Sequence, residues 1–291
     1  MINGILVIDK PAGLTSHDVV SRLRKVFKQR RIGHTGTLDP DATGVLPICL
    51  GQATRLAEYL TADDKSYQAQ LVFGQATDSL DASGEVVEET DLPDLSTEAF
   101  AALLEGFLGE QMQIPPKYSA IKIDGVPLYK LARAGRPLPE VKARQITIKE
   151  IQLHTYDRHQ ACFSVTVSKG TYIRSLCADI GQAAGSSAHM ASLRRLSSGQ
   201  FDLSQAIPLA QLEEATDPAA YIIPMYEAMK GYPQLALTGD EQKRVQNGNA
   251  IPLQANAGIE GGPVVASHLD KMVAIGFIKD AEFQPKKVFN D

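Results

Sequence analysis

Asp39 lies in the segment of this 291-residue chain whose residue types are best suited to chemistry. Residues 33–47 read Gly-His-Thr-Gly-Thr-Leu-Asp-Pro-Asp-Ala-Thr-Gly-Val-Leu-Pro and lead into an apolar run over residues 45–50. The glycines permit backbone angles that other residues avoid, and Pro40 directs Asp39 away from a helical course. We therefore predict a loop that holds a carboxylate rigidly at the end of a regular element. An Asp-Pro pair also occurs in ordinary turns, so a purely structural turn is the alternative.

Basic residues precede this carboxylate along the chain. Between residues 19 and 38 there is no acidic side chain, and the basic ones are Arg22, Arg24, Lys25, Lys28, Arg30 and Arg31. Residues 117–149 form a second basic segment, with eight lysines and arginines against two acids. The net charge of −5 argues against nonspecific nucleic-acid binding over the whole surface, but local basic surfaces can still form. A fixed carboxylate beside a basic helix favours chemistry on a polyanion, with scattered solvated charge as the alternative.

Several common kinds of site are absent from the sequence. The three cysteines, Cys49, Cys162 and Cys177, have no paired spacing, which argues against a disulfide framework or a zinc site. There is no Walker loop and no GxGxxG, HExxH or GxSxG motif. The sequence shows neither a signal-peptide pattern nor an apolar run of membrane-spanning length. We therefore expect a cytoplasmic, reduced protein without a zinc site, and these absences leave Asp39 as the leading reactive group.

Hydrophobic periodicity predicts the elements that must position Asp39. Strands are predicted at residues 4–9, 66–73, 146–153 and 161–168, the last two as a pair. Helices are predicted from N-cap candidates at 15–18 to about residue 28, and at 53–60, 97–107 and 172–184. Residues 74–84 are predicted as a polar loop, and residues 191–196 extend a further element. Because strands and helices alternate without a regular βαβ rhythm, an α+β fold suits better than a doubly wound sheet.

The composition changes in residues 203–233, which contain four prolines. Beyond them, short alternating runs broken by glycine and asparagine predict a small β-rich domain. We therefore place a large domain at residues 1–230 and a small one at residues 231–291.

Several segments occur in the order seen in bacterial TruB-type tRNA pseudouridine synthases, and the chain resembles that family over nearly its whole length. Residues 33–44 form the most specific match, whereas the C-terminal Asn247-Gly248 match is much weaker. The other matching segments are Lys10-Pro11-Ala12-Gly13-Leu14-Thr15-Ser16, Lys65-Ser66-Tyr67, Ser168-Lys169-Gly170-Thr171-Tyr172-Ile173-Arg174 and Arg194-Arg195-Leu196.

This resemblance implies a pseudouridine synthase fold, α+β with a mixed central β-sheet and flanking helices, followed by a small PUA-like β-barrel that binds RNA. It implies isomerisation of uridine to pseudouridine at position 55 in the T loop of tRNA, without cofactor or metal. The target base must be flipped out of the folded loop to be reached. The implied partner is the T-arm stem-loop of tRNA, with no membrane and no obligatory protein partner, and a monomer is the default.

The reaction breaks the N1–C1′ bond, rotates the uracil and rejoins it through C5, so positive charge develops on the sugar. A carboxylate can stabilise or trap that charge, as in glycoside hydrolysis, and the resemblance assigns this role to Asp39 as nucleophile. It assigns Arg174 as the ion-pair partner and Tyr67 as the ring that stacks on uracil and assists proton transfer. A surface arginine and a core aromatic are the alternatives. Attack at C1′, attack on the uracil ring and glycal formation by elimination are all left open.

Four further residues are implied to bind the substrate. His34 enters the RNA loop and fills the space left by the flipped nucleotide, and Leu193 forms an apolar wall of the base pocket. A loop histidine and a core leucine are the structural alternatives. Tyr172 and Lys10 complete the set. A metal-ligand role for His34 is not predicted, because no second ligand lies at a suitable spacing.

Two other functions were weighed against this one. The RNA-guided relative of the family acts on ribosomal RNA within a ribonucleoprotein, but the basic tails expected of it are absent from this sequence. The non-enzymatic alternative is an RNA-binding or RNA-folding module, and the presence of Asp39, Tyr67 and Arg174 argues against it. An RNA-folding role beside catalysis is left open, because base flipping already requires the loop to open.

Overall fold

The computed structural model describes residues 1–119, 121–123, 125–134, 139, 141–253 and 262–290. Its strands are β1 (Gly4–Lys10), β2 (Ile32–His34), β3 (Thr43–Leu50), β4 (Lys65–Phe73), β5 (Gln75–Thr77), β6 (Val86–Glu89), β7 (Gly109–Gln113), β8 (Lys122–Ile123), β9 (Val126–Pro127), β10 (Arg144–Tyr156), β11 (Gln160–Val167), β12 (Ala188–Ser198), β13 (Phe201–Asp202), β14 (Ile207–Pro208), β15 (Gln234–Ala236), β16 (Ile251–Pro252), β17 (Val264–His268), β18 (Lys271–Lys279) and β19 (Glu282–Val288). Its α-helices are α1 (Ser16–Val26), α2 (Ala57–Leu60), α3 (Thr97–Glu105), α4 (Leu128–Arg133), α5 (Ile173–Ala183), α6 (Leu209–Glu214) and α7 (Gly239–Gln246), and 3-10 helices occur at Gly51–Leu56, Pro218–Tyr221 and Glu227–Met229.

A ten-stranded sheet forms the centre of the molecule. Its strand order is β14-β1-β3-β12-β4-β11-β10-β7, with β2 paired to β3 and β13 paired to β12. Strand β12 runs parallel to β3 and antiparallel to β4, and β1 runs antiparallel to β3. The sheet is therefore mixed, which confirms the α+β fold class.

One face of this sheet is covered by helices α1, α3 and α5. In β4, alternate side chains from Lys65 to Phe73 are buried on that face, as the period of a strand requires. Helix α1 begins at a capping box between Thr15 and Asp18 and packs its apolar side against the same core. Helix α5 adds its own apolar side, so the ends of α1 and α5 approach the sheet near the Asp39 loop.

The last part of the chain forms a separate five-stranded curled sheet with the order β15-β17-β18-β19-β16 and a PUA-like form. It has its own apolar core with helix α7. Val265, Ile275 and Phe289 also pack into a cluster shared with β1 and β3. The Arg55 guanidinium lies 5.0 Å from the centre of the Phe289 ring. The domain boundary between residues 230 and 231 stays a prediction.

The predicted elements are largely confirmed, with two differences. The polar loop at 74–84 contains the short strand β5, which pairs with β6, because backbone pairing requires no apolar pattern in a two-stranded ribbon. The helix expected at 53–60 begins as a 3-10 helix and becomes α-helical only at Ala57. Residues 191–196 belong to β12. No helix among the described residues is long and apolar enough to cross a membrane.

Candidate active site

The Asp39 loop (residues 35–42) joins β2 to β3, and its backbone is held by neighbouring elements on both sides of Asp39. The buried Ser16 hydroxyl, in the first turn of α1, accepts from the Leu38 amide at 2.8 Å and donates to the Leu38 carbonyl oxygen at 3.2 Å. The Gly13 amide donates to the Pro40 carbonyl oxygen at 3.0 Å. These bonds give the loop the rigid backbone that its sequence predicts.

Gly44 anchors the far end of this loop to the sheet. Its φ is +100°, and a Cβ atom there would lie 2.2 Å from the Arg195 carbonyl oxygen. Only glycine therefore allows β3 to begin against β12, where Thr43 lies opposite Arg194 and Gly44 opposite Arg195. The Arg194 guanidinium also pairs with the Asp9 carboxylate at 2.7 Å, which ties β12 to β1.

Arg174, in the first turn of α5, contacts the Asp39 carboxylate from 135 residues away in the sequence. Its Nε lies 3.0 Å from Asp39 Oδ2, and its Nη2 lies 3.2 Å from Oδ1, which makes the ion pair bidentate. Gln113 fixes the start of the helix, because its carboxamide bonds both the amide and the carbonyl group of Tyr172. The Arg174 side chain is 6% exposed and the Asp39 side chain 36%, so only the carboxylate keeps an open edge.

The rest of the Arg174 guanidinium is bound inside the protein. Its Nη1 donates to the Ser79 carbonyl oxygen at 3.2 Å and lies 3.5 Å from Asp81 Oδ2. Its Nη2 also donates to the Tyr118 carbonyl oxygen at 3.0 Å. One guanidinium therefore joins two carboxylates, Asp39 and Asp81. Sequence inspection missed Asp81, whose only signal was its place in a polar loop.

The pKa of Asp39 reflects this environment. Burial raises the pKa of the carboxyl group above the ordinary value of 3.8, and the Arg174 guanidinium acts against this shift. The negative charge of Asp81 raises the pKa further, and the Lys10 ammonium group lowers it. A raised pKa makes the ionised carboxylate more basic, which suits a nucleophile.

Tyr67 and Leu193 together form what we call the apolar wall. They lie on the adjacent strands β4 and β12 and are 7% and 9% exposed. Both belong to the apolar cluster that contains Leu38 and Ile173, the sequence neighbours of the two ion-paired residues. The wall therefore belongs to the same apolar core as the residues that flank the ion pair.

His34 and Tyr172 lie at the edges of this site. His34 ends β2 and is half-buried, and its buried Nδ1 has no hydrogen-bond partner among the residues that the structure describes. Burial lowers the pKa of His34, and the positive charges of Arg195 and His17 lower it further, so the neutral ring is favoured. Tyr172 precedes α5, and burial raises the pKa of its phenol.

Lys10 is fully buried beneath the loop. Its Nζ donates to the carbonyl oxygens of Pro11 at 2.8 Å, Leu14 at 2.6 Å and Pro40 at 2.8 Å. Burial lowers the pKa of Lys10 to about 8, and the carboxylates of Asp41 and Asp39 act against this shift. The ammonium group therefore supports the loop from inside the protein in this structure.

The arrangement unites six of the seven predicted residues around one loop: Asp39 and Arg174 in an ion pair, Tyr67 and Leu193 in the wall, His34 at the end of β2, and Lys10 at the end of β1 with its Nζ bonded to the Pro40 carbonyl oxygen. Tyr172 directly precedes α5, whose first turn carries Arg174. Within the described part of the chain, no three His, Cys, Asp or Glu side chains group closely enough to hold a metal ion.

Two family models match the chain. The TruB family pseudouridylate synthase (N terminal domain) matches residues 24–173, and the tRNA pseudouridylate synthase B C-terminal domain matches residues 174–229. The first model alone covers more than half of the chain. Its last matched residue directly precedes Arg174, so the ion pair joins the two matched regions.

Whole-length relatives agree with the family models. The tRNA pseudouridine synthase B of Syntrophotalea carbinolica is 44% identical over 257 residues, which cover 88% of this chain and 83% of that protein. The protein of the same name from Streptococcus mutans is 39% identical over 298 residues, covering 99% and 100%. A chain in the crystal structure of a Cbf5-Nop10-Gar1 complex is similar with a TM-score of 0.77 and 28% identity, covering 99% of this chain and 85% of that one. This chain therefore belongs to the TruB family of pseudouridylate synthases, which are RNA isomerases.

Proposed function

We propose that this chain isomerises uridine to pseudouridine at position 55 in the T loop of tRNA, with Asp39 as the nucleophile. The relatives named tRNA pseudouridine synthase B support tRNA as the substrate. The bidentate ion pair between Asp39 and Arg174 carries the proposal, because it holds a carboxylate in a fixed orientation with part of its surface exposed. A fixed carboxylate can stabilise or trap the positive charge that develops at C1′ when a glycosidic bond breaks.

Asp39 acts where the N1–C1′ bond breaks. The electron pair of that bond leaves with the uracil, and the carboxylate stabilises the positive charge that develops at C1′. The uracil then turns, C5 bonds to C1′, and the proton displaced from C5 passes to solvent while N1 gains a proton. Arg174 holds one edge of the carboxylate throughout and leaves the other edge to the nucleotide.

The uracil is held by the apolar wall of Tyr67 and Leu193. Flipping the nucleotide out of the RNA loop costs a few kcal/mol, and stacking on an aromatic ring returns about 1–3 kcal/mol per base. His34 fills the space that the nucleotide leaves. Its neutral, half-buried ring suits this role, because an uncharged ring stacks among bases without the larger cost of burying a charge.

The RNA backbone is held by exposed basic residues in and after the helix that precedes the Asp39 loop. The side chains of α1 and the segment that follows it are exposed to solvent at Arg22, Lys25, Lys28, Arg30 and Arg31. The curled C-terminal sheet extends this contact. Phosphate contacts of this kind fix the position of the RNA and make binding sensitive to salt. We propose that the chain acts on tRNA without a protein partner, as a monomer in the cytoplasm.

The test uses the purified protein alone and a T-arm stem-loop RNA that carries tritium at uracil C5. Formation of pseudouridine releases tritium into water, so release at the wild-type protein is the expected result. Asp39→Asn should abolish release at unchanged RNA affinity. Asp41→Asn is the matched control, because it removes an exposed carboxylate from the same loop that does not contact Arg174, and it should stay within a few-fold of wild type.

The outcomes separate the functions. Absence of tritium release from the wild-type protein, with RNA binding retained, supports an RNA-binding module. A normal rate for Asp39→Asn shows that another residue is the nucleophile. Tritium release from an RNA that carries labelled uridine at other positions but none at position 55 shows a different target site.

A further inference from the structure

Arg195 is a fully buried charged side chain outside the ion pair. It is 1% exposed and has the largest volume of the fully buried side chains among the described residues. Among the described residues, no carboxylate lies within ion-pair distance of its guanidinium. Its hydrogen bonds go to main-chain carbonyl groups instead: Nε donates to Val45 at 2.6 Å and Nη2 donates to Gly36 at 3.3 Å. A buried cation without an anion is costly, so a specific role is needed to explain it.

The two carbonyl acceptors lie on either side of Asp39 in the sequence. Gly36 opens the loop after β2, and Val45 lies at the start of β3. A single planar guanidinium therefore bridges the entry and the exit of the segment that carries the carboxylate. Its fixed fork suits this task, because two donors leave the same rigid group in defined directions.

Arg195 also belongs to the strand that carries the apolar wall. It lies two residues after Leu193 on β12 and directly opposite Tyr67 on β4. Its Nη1 lies 3.5 Å from the position that a Cβ atom would take on Gly36, so the loop backbone rests against the guanidinium. The side chain thereby joins the loop that carries Asp39 to the strands that carry the wall.

A second buried cation reinforces the same stretch of the loop. Lys65, 8% exposed, has its Cε 3.7 Å from the Cβ position on Gly36 and donates from Nζ to the carbonyl oxygens of Thr61 and Asp63. The Thr61 hydroxyl in turn donates to the Thr35 carbonyl oxygen at 2.7 Å. The start of the loop is thus held on both sides. The Thr35 amide also donates to the Pro47 carbonyl oxygen of β3 at 3.1 Å, and Arg195 adds a side-chain link between Gly36 and Val45.

We propose that Arg195 is a positioning residue that sets the distance between the Asp39 carboxylate and the uracil wall by bridging Gly36 and Val45. The proposal rests on the proposed function. Its removal lets the loop move relative to β12, and a displacement of about 1 Å at the reacting atoms costs on the order of 10²-fold in rate. RNA affinity does not depend on this bridge, because the guanidinium is closed to solvent.

The experiment compares Arg195→Met and Arg195→Lys with the wild-type protein. Methionine approximates the volume without donors, and lysine keeps the charge but cannot bridge two carbonyl groups with a planar fork. Arg55→Met is the matched control, because Arg55 also donates to a main-chain carbonyl, that of Val288, far from Asp39. Each protein is measured by single-turnover tritium release at saturating T-arm RNA, by filter binding, and by hydrogen exchange of peptides that span residues 35–45.

We expect Arg195→Met to lose about 100-fold in the single-turnover rate and to keep its RNA dissociation constant within about threefold. Hydrogen exchange should accelerate in residues 35–45 and stay unchanged in β10 and β11. Arg195→Lys, which keeps the buried charge and serves if the methionine variant does not fold, should lose at least tenfold. Arg55→Met should keep both the rate and the exchange of the loop.

A wild-type rate in Arg195→Lys shows that charge alone is sufficient and overturns the bridge. Loss of RNA affinity at an unchanged saturated rate shows that Arg195 binds RNA and also overturns it. If the wild-type protein itself releases no tritium, the proposed function fails, and faster exchange of residues 35–45 in the variants still reports whether Arg195 holds the loop.

Discussion

Arg174 and Arg195 are both almost completely buried, but among the described residues only Arg174 contacts carboxylates. Arg174 contacts the carboxylates of Asp39 and Asp81 as well as two carbonyl oxygens, whereas Arg195, among the described residues, donates only to the carbonyl oxygens of Gly36 and Val45. The first arginine therefore acts on the charge of the nucleophile, and the second acts on the path of the backbone that carries it. The comparison separates two requirements of the site, an ionised carboxylate and a carboxylate in the right place.

Arg174→Ala tests the charge half of this comparison and should have the largest effect. Loss of one preorganised electrostatic contact in an active site costs about 10²–10³-fold in rate, and Arg174 makes two contacts with Asp39, so turnover should fall by about 10³-fold with RNA affinity nearly unchanged. Single-turnover kinetics and filter binding measure the two quantities. Arg174→Lys keeps the charge but not the fork and should be intermediate. Equal losses in rate and affinity would make Arg174 an RNA-binding residue.

Asp81→Asn sharpens the same half through pH. The rate should rise with pH as Asp39 ionises, and the midpoint should lie above 3.8, because burial and the charge of Asp81 raise the pKa of Asp39. Asparagine at 81 removes one negative charge, so the midpoint should move to lower pH. The rate on the plateau should fall about tenfold, the equivalent of one hydrogen bond to a charged group. Single-turnover rates across the acid range measure this midpoint. An unchanged midpoint in Asp81→Asn would refute the coupling.

Lys25→Ala provides a contrast to the two buried arginines, because Lys25 is expected to contact only RNA phosphate. Lys25 is exposed in the last turn of α1. Its loss should weaken binding a few-fold and reduce the slope of log affinity against log salt by about 0.7–0.9, with the saturated rate unchanged. Filter binding over a salt series measures the slope. A normal slope would place the RNA away from α1.

Lys149→Ala should have the smallest effect. Lys149 pairs with Asp64 at 2.5 Å, but the two side chains are 50% and 42% exposed. An exposed pair contributes about 0–1 kcal/mol, so the free energy of unfolding should change by no more than that and the rate should not change. Urea denaturation provides the measurement. A decrease of about 3–5 kcal/mol in the free energy of unfolding, the cost of breaking a buried ion pair, would show that exposure does not predict the strength of this pair.

Local features of the site were predictable from the sequence. The glycines and Pro40 predict a rigid loop around Asp39, and the apolar alternation of β4 predicts a strand that buries Tyr67. The capping pattern at Thr15 predicts the start of α1, which places Ser16 beneath the loop. Each of these depends on residues close together in the chain, where backbone restriction and periodicity act.

Long-range partners were predictable only in part. The resemblance to the TruB family named Arg174 as the partner of Asp39, but periodicity and spacing alone favoured a surface residue. Asp81 carried no signal beyond its polar loop, and the Arg pair at 194 and 195 was no more than a matching segment. The roles of these side chains depend on which strands are neighbours and in which register, and no local pattern encodes either.

By itself the sequence determined the α+β class, the loop that carries Asp39 and the family to which the chain belongs, because these depend on local backbone chemistry and on ordered motifs. Only the tertiary structure decided that Asp39 and Asp81 share one guanidinium and that Arg195 bridges Gly36 to Val45. Hydrogen bonds between distant segments form only once the sheet order and register bring donor and acceptor within about 3 Å.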